Sequence, residues 1–121
     1  MLIESGCDSS KIILGLPAYG RDKRNPSHVK TYSELVDDLS DGDWKPGKEI
    51  KNSIFGFESR DLIFRKVGMA MEKRLGGVFL WELGQDYRSQ EVAEGLMLKY
   101  VNDSVMEIRS EVRRGDGDGE L

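Results

Sequence analysis

Three side chains stand where a chain of this pattern can do chemistry: Tyr19, Arg21 and Trp81. They close two short apolar runs, Lys11-Ile-Ile-Leu-Gly-Leu-Pro-Ala-Tyr-Gly-Arg21 and Gly76-Gly-Val-Phe-Leu-Trp-Glu-Leu-Gly-Gln-Asp86. In a (β/α)8 barrel a strand is buried on both faces and reads as a continuous apolar run. Its functional side chains gather where it stops, at the C-terminal edge. Other reactive residue types are isolated. His28 stands in a loop without a Cys or carboxylate cluster, which argues against metal binding and acid–base work. Cys7 is the single cysteine, has no partner for an internal disulfide, and is read as structural.

The elements that must position these residues follow from spacing. Met1-Leu-Ile-Glu-Ser-Gly6 reads as the last turn of a helix, with Gly6 supplying a left-handed end. In the first run, alternation places Ile13, Gly15, Pro17, Tyr19 and Arg21 on one face, and Ile12, Leu14 and Leu16 on a helix-covered exterior. Residues 22–57 form a connection rich in charged residues, Gly and Pro. Within it Thr31-Tyr-Ser-Glu34 is a capping box, followed by Tyr32, Leu35, Val36 and Leu39 at helical spacing. From about Ser59 to Leu75 an apolar stripe of Ile63, Val67, Ala70, Met71 and Leu75 predicts an amphipathic crossover helix. Gly76-Gly77 is expected to end it and open the second strand, where Gly77, Phe79 and Trp81 share a face.

Residues 89 to about 113 predict one long helix, or two broken near Asn102-Asp103. Val92, Ala93, Leu96, Met97 and Tyr100 form its first apolar stripe. Val101, Val105, Ile108 and Val112 form a narrow seam that packs on this chain or on a partner helix. From Arg114 onward, Gly-Asp-Gly-Asp-Gly-Glu-Leu lacks apolar surface to bury and is expected to be a disordered acidic tail. The divisions are therefore 1–102 for the barrel portion, 103–113 for a helical extension and 114–121 for the tail.

Composition bounds the function. With 121 residues, 38% hydrophobic, 33% charged and a net charge of −4, the chain reads as globular, and neither nucleic acid nor an anionic membrane is an expected partner. No run approaches the roughly 20 apolar residues of a membrane span, and the first residues lack a signal-peptide pattern. A complete barrel of this kind takes about 250 residues, so the chain holds half of one at most.

In wording and order the two runs resemble the seventh and eighth strands of glycoside hydrolase family 18, the chitinases and chitinase-like lectins, over roughly residues 1–100. The resemblance implies an α/β fold, a partial TIM (β/α)8 barrel covering the last two strands and their helices. It also implies hydrolysis of β-1,4-linked N-acetylglucosamine polymers with retention, the sugar's own acetamido oxygen serving as nucleophile. The family's Asp-x-x-Asp-x-Asp-x-Glu signature, which supplies the acid, belongs to a fourth strand that this chain lacks. Asp116-Gly-Asp-Gly-Glu120 matches part of it, but sits in the tail after both strands and is read as chance. By resemblance Trp81 is the floor of the central sugar subsite, and Tyr19 and Arg21 face the same cavity as hydrogen-bond donor and cation. The alternatives are a core role for Trp81 and a structural network at the barrel mouth for Tyr19 and Arg21. Glu82, of opposite parity to Trp81, is a rim residue. The connection is too short for the insertion domain many chitinases carry there, so a shallower cleft follows.

The resulting expectation is a fragment of a chitin-active hydrolase that supplies sugar-subsite residues without the catalytic acid, and that is inactive alone. No cofactor or metal is implied. Chitin or an N-acetylglucosamine oligosaccharide is the expected ligand, with the missing N-terminal half of the barrel as a partner and a secreted parent whose signal lies upstream. A non-catalytic chitin-oligosaccharide-binding lectin and a half-barrel that pairs with another chain are the alternatives.

Overall fold

The computed structural model describes residues 2–39 and 54–117. Residues 40–53 of the expected connection and the last four residues of the expected tail lie outside them. Residues 2–6 form a hydrogen-bonded turn in which Gly6 takes φ +95° and the N–H of Cys7 donates to the carbonyl of Leu2 (3.0 Å). A 3-10 turn, Ser9–Lys11, capped by the Asp8 carboxylate, then feeds strand β1 (Ile13–Pro17).

β1 pairs in parallel with β5 (Gly77–Trp81), in register from Ile13 opposite Gly77 to Pro17 opposite Trp81. The expected alternation holds within both strands. Leu14, Leu16, Val78 and Leu80 turn to the helices, where Leu16 is fully buried in the core. Ile13 and Phe79 turn to the other face and remain 56% and 47% exposed.

The first apolar run does not continue as one strand to Arg21. Proline brings no N–H to a ladder, and after Pro17 the chain leaves the parallel pair. The Ala18 N–H donates to the Trp81 carbonyl (2.6 Å), while the Ala18 carbonyl accepts from Tyr32 N–H (2.9 Å). Beyond this pivot, strand β2 (Tyr19–Asp22) lies between β3 (Val29–Thr31) and β4 (Phe55–Gly56) in a separate antiparallel sheet. The connection therefore carries a small sheet in addition to the expected helix.

That helix, α1 (Tyr32–Leu39), starts at the predicted capping box: Glu34 N–H donates to Thr31 Oγ1 (3.1 Å), and Thr31 N–H reaches back to Glu34 Oε1 (3.5 Å). Helix α2 (Arg60–Glu72) is capped by Ser59, whose Oγ accepts from Leu62 N–H (3.1 Å), and buries Ile63, Val67 and Ala70. It ends earlier than expected, through Arg74 in the left-handed region (φ 55°) rather than through Gly76-Gly77. Gly76 is required for a different reason. A methyl there would collide with the Ser10 carbonyl oxygen, because the Gly76 N–H donates to the Ile12 carbonyl (2.8 Å).

Helix α3 (Leu96–Gly117) starts later than expected and is one helix, the first of the two alternatives. It begins seven residues later than position 89; residues 91–94 are a turn that nonetheless buries Val92. It is unbroken at Asn102-Asp103, where Lys99 pairs with Asp103 one turn on (2.7 Å) and Ser104 Oγ donates to the Tyr100 carbonyl (2.7 Å). Its backbone also reaches Gly117, past the Arg114 at which a disordered tail was expected. The seam resolves in favour of this chain: Val101, Val105 and Ile108 pack against the core, whereas Val112 is exposed. That core is built from Leu16, Ala18, Tyr32, Val36, Ile63, Val67, Leu96, Met97 and Tyr100. Burial pushes the Tyr32 phenol, hydrogen-bonded to Tyr100, well above the ordinary tyrosine range.

Candidate functional site

Trp81 ends β5 with its side chain in the open. Its residue is 60% exposed, on the face that also carries Phe79. Phe79 reaches across Gly15 of β1: a Cβ at Gly15 would sit 2.9 Å from Phe79 Cζ, so a larger residue there would displace the far end of the ring. Ile13, Phe79 and Trp81 thus form an apolar strip that ends in an indole at the C-terminal edge of the parallel pair. An exposed indole is a plane that stacks on apolar ligand faces. The peptide between Trp81 and Glu82 is cis.

Tyr19 and Arg21 begin from the same pivot. Tyr19 follows Ala18, which is bound to the Trp81 carbonyl, and alternation in β2 buries Gly20 and Asp22 while leaving Arg21 exposed. Gly20 is needed on the buried side, where a Cβ would come within 2.7 Å of Leu35 Cδ1 and 3.0 Å of the Gly56 carbonyl oxygen. The Arg21 guanidinium lies 5.6 Å from the Tyr19 ring centroid, and Nη1 donates to the Pro26 carbonyl (2.8 Å). The structure therefore brings Tyr19 and Arg21 into contact on one strand of the antiparallel sheet, with Trp81 on a strand of the parallel sheet and Ala18 as the joint between them.

Two carboxylates, Glu82 and Asp86, follow Trp81 closely in the chain. Glu82 is exposed, and its N–H donates to Gln85 Oε1 (3.4 Å) at the start of a 3-10 turn, Leu83–Gln85. Asp86 is buried and accepts three backbone N–H bonds, from Tyr87 (2.8 Å), Met97 (2.9 Å) and Leu98 (3.0 Å). Burial pushes its carboxyl above the ordinary aspartate value, against the opposing pull of those three donors. A methyl at Gly95 would collide with Asp86 Oδ2, so glycine there, at φ +114°, makes room for the carboxylate. Asp86 is a positioning residue: it ties the segment after Trp81 to the first turn of α3. Sequence reading passes over it because its partners lie 11 and 12 residues away.

His28 faces the Phe55 ring edge-on and stands 3.6 Å from Asp22 Oδ2. Of the acidic string 116–120, Asp116 falls in the last turn of α3 and residues 118–120 lie outside the described residues.

The sequence profile of Glycosyl hydrolases family 18 matches residues 1–86, the stretch that holds β1, the antiparallel sheet, α2, β5 and the turn behind Trp81. The chain belongs to this family. Among solved structures, the family 18 chitinase ChiB of Flavobacterium johnsoniae superposes with a TM-score of 0.65 at 20% identity, over 88% of this chain and 32% of that one. A chitinase of Bacteroides thetaiotaomicron gives a TM-score of 0.64 at 25% identity, over 84% and 33%. Human YKL-39, described as a pseudo-chitinase with retained chitooligosaccharide binding properties, gives 0.62 at 16% identity, over 85% and 37%. The chain thus spans about a third of the length of these family 18 structures, and its mixed α/β fold is theirs. No curated protein sequence matches it.

Proposed function

We propose that the chain forms the last two strands of a family 18 barrel with their helices, and that it supplies one wall of a binding site for chitin or related β-1,4 N-acetylglucosamine oligosaccharides. The observation that carries this reading is Trp81, an indole 60% exposed at the end of a parallel strand in a family 18 chain. Its plane stacks on the axial C–H bonds of a pyranose. Tyr19 donates from its phenol, and Arg21 keeps donors free beyond the one given to Pro26. In a complete barrel this wall serves substrate-assisted hydrolysis, with the sugar's acetamido oxygen as nucleophile and the proton donor on another strand.

The chain alone binds and does not hydrolyse. Its two nearby carboxylates are a rim residue and a buried cap, and orientation without a proton donor leaves the leaving group unassisted. Titration calorimetry of the purified chain with the N-acetylglucosamine tetramer tests this. Binding is expected, and Trp81→Ala is expected to weaken it by at least about tenfold, the scale of a lost aromatic contact at a site centre. Equal affinity in wild type and variant sinks the reading, and release of reducing sugar by the wild type overturns the inactive assignment. A lectin role is the second reading, favoured by the same exposed indole and by the likeness to human YKL-39, described as a pseudo-chitinase with retained chitooligosaccharide binding properties.

A further inference from the structure

Arg21 is exposed on a short strand, and such a side chain ordinarily samples many rotamers, which a neutral ligand must freeze before it gains a hydrogen bond. Here two contacts restrict it. The guanidinium lies 5.6 Å from the Tyr19 ring centroid, and Nη1 donates to the Pro26 carbonyl (2.8 Å). Pro26 stands in the loop that joins β2 to β3, so the place of the guanidinium depends on the shape of that loop.

Asp22 closes the loop. Its carboxylate is buried at the end of β2, where Oδ1 accepts the Arg24 N–H (2.8 Å) and Oδ2 stands 3.6 Å from His28 Nδ1. Its N–H donates to the His28 carbonyl (2.9 Å), which ties the two ends of the loop together. Inside the loop the His28 N–H donates to the Asn25 carbonyl (2.9 Å), and Ser27 Oγ to Asn25 Oδ1 (2.7 Å). Outside it, the Lys23 N–H donates to the Ile54 carbonyl (2.9 Å) and His28 packs edge-on against Phe55 of β4. Proline fixes its own φ and restricts Asn25 before it, which leaves the turn little freedom. Most of these bonds serve the loop itself. The Pro26 carbonyl is the exception, because it reaches a side chain on the open face of β2, which alternation gives to Tyr19 and Arg21.

We propose that the 23–28 loop is a clamp that pre-positions Arg21 for a sugar hydroxyl or acetamido oxygen, and that Asp22 is the positioning residue through which the clamp acts. The inference deepens the binding function proposed above and rests on it. One donor fixes the planar guanidinium, and its remaining N–H groups meet the glycan with less loss of rotamer freedom.

Calorimetry with the N-acetylglucosamine tetramer tests this on a double-mutant cycle of Arg21→Ala and Asp22→Ala, each variant checked for folding by circular dichroism. Arg21→Ala is expected to weaken binding about tenfold, the scale of a lost hydrogen bond from a charged donor. Asp22→Ala is expected to weaken it about fivefold, and to have no further effect once Arg21 is alanine. Asp22→Asn, which keeps an acceptor for the Arg24 N–H, is expected to restore most of the affinity. Pro26→Gly, at an exposed position, is expected to weaken binding about twofold, again only while Arg21 is present, and decides the matter if Asp22→Ala does not fold. Loop substitutions without effect, or with the same effect in both backgrounds, overturn the clamp. Arg21→Ala that binds like the wild type while Trp81→Ala does not also overturns it, and leaves the binding function proposed for Trp81 standing. A wild type that binds no tetramer removes both.

Discussion

Asp22 shows how one carboxylate can set the shape of a basic hairpin. The Arg24 backbone N–H, and after it the Arg24 side chain, holds the Asp22 carboxyl below the ordinary aspartate value near 4, although burial works the other way. A carboxyl depressed in the folded state stabilises the fold fully above the unfolded-state value. That contribution is lost as pH falls through the folded-state value. Asp22→Asn is therefore expected to be less stable than the wild type at neutral pH, and the two are expected to converge as pH falls below about 4. Urea midpoints measured from pH 7 down to pH 3 check this. A gap that stays constant across the range would assign the effect to the shape of the side chain instead of its charge.

Helix starts decide how the segments around the site are held. The first N–H groups of α3 have no partner within the helix, and the carboxylate of Asp86 closes two of them from the far side of a turn. Asp86→Ala leaves those donors and the Tyr87 N–H buried without a partner, and is expected to cost about 2 kcal/mol or more. Asp86→Asn, which retains one acceptor oxygen, is expected to cost less. Both are read from denaturant unfolding with the slope unchanged. At the start of β5, Gly76→Ala drives a methyl into the Ser10 carbonyl and is expected to lose about 1–3 kcal/mol. Gly68→Ala is the contrasting case. It lies inside α2, where a new Cβ meets only Ile108 Cδ1 at 3.6 Å, and is expected to gain up to about 1 kcal/mol from helix propensity. Thermal unfolding of the pair distinguishes a packing requirement from a general dislike of glycine. These elements also show what the sequence could reveal. The capping box at Thr31, the stripe of α2 and the alternation through Phe79 and Trp81 are local patterns, with neighbours three, four or two residues apart, and the structure carries all three. The break after Pro17, the late start of α3 and the importance of Asp86 depend on partners such as Trp81, Met97 and Leu98 at the far end of a loop or strand, which no local period encodes. The continuous run to Arg21 concealed a change of sheet because both sheets use extended backbone. Trp81 was legible as a strand-end residue, whereas Tyr19 and Arg21, expected at the end of the same strand as Pro17, lie in the separate strand β2; that a single residue, Ala18, joins the two was not legible.

At the scale of the whole molecule, the parallel sheet has two strands among the described residues, and one of its faces carries exposed apolar side chains. A two-stranded unit is marginal in water, and parallel pairs are ordinarily covered on both sides. Here α2 and α3 cover one side, while the other presents Ile13, Phe79 and Trp81 at 47–60% exposure. In a barrel that face is the interior, filled by side chains from other strands. In this chain by itself, the outer edges of β1 and β5 also have no strand paired with them among the described residues. Apolar surface beside open backbone edges favours association, through further strands of a barrel or through a second copy of the same face. Sedimentation velocity on the purified chain is therefore expected to show self-association that grows with concentration. The double substitution Ile13→Lys, Phe79→Lys is expected to shift the population towards monomer, because paired charges on facing copies repel and their desolvation is costly. Trp81→Ala alone is expected to reduce association less, since it leaves the rest of the strip in place. A compact wild-type monomer at every concentration would mean that the open face is tolerated in water, with Ile13, Phe79 and Trp81 exposed on a chain that folds by itself.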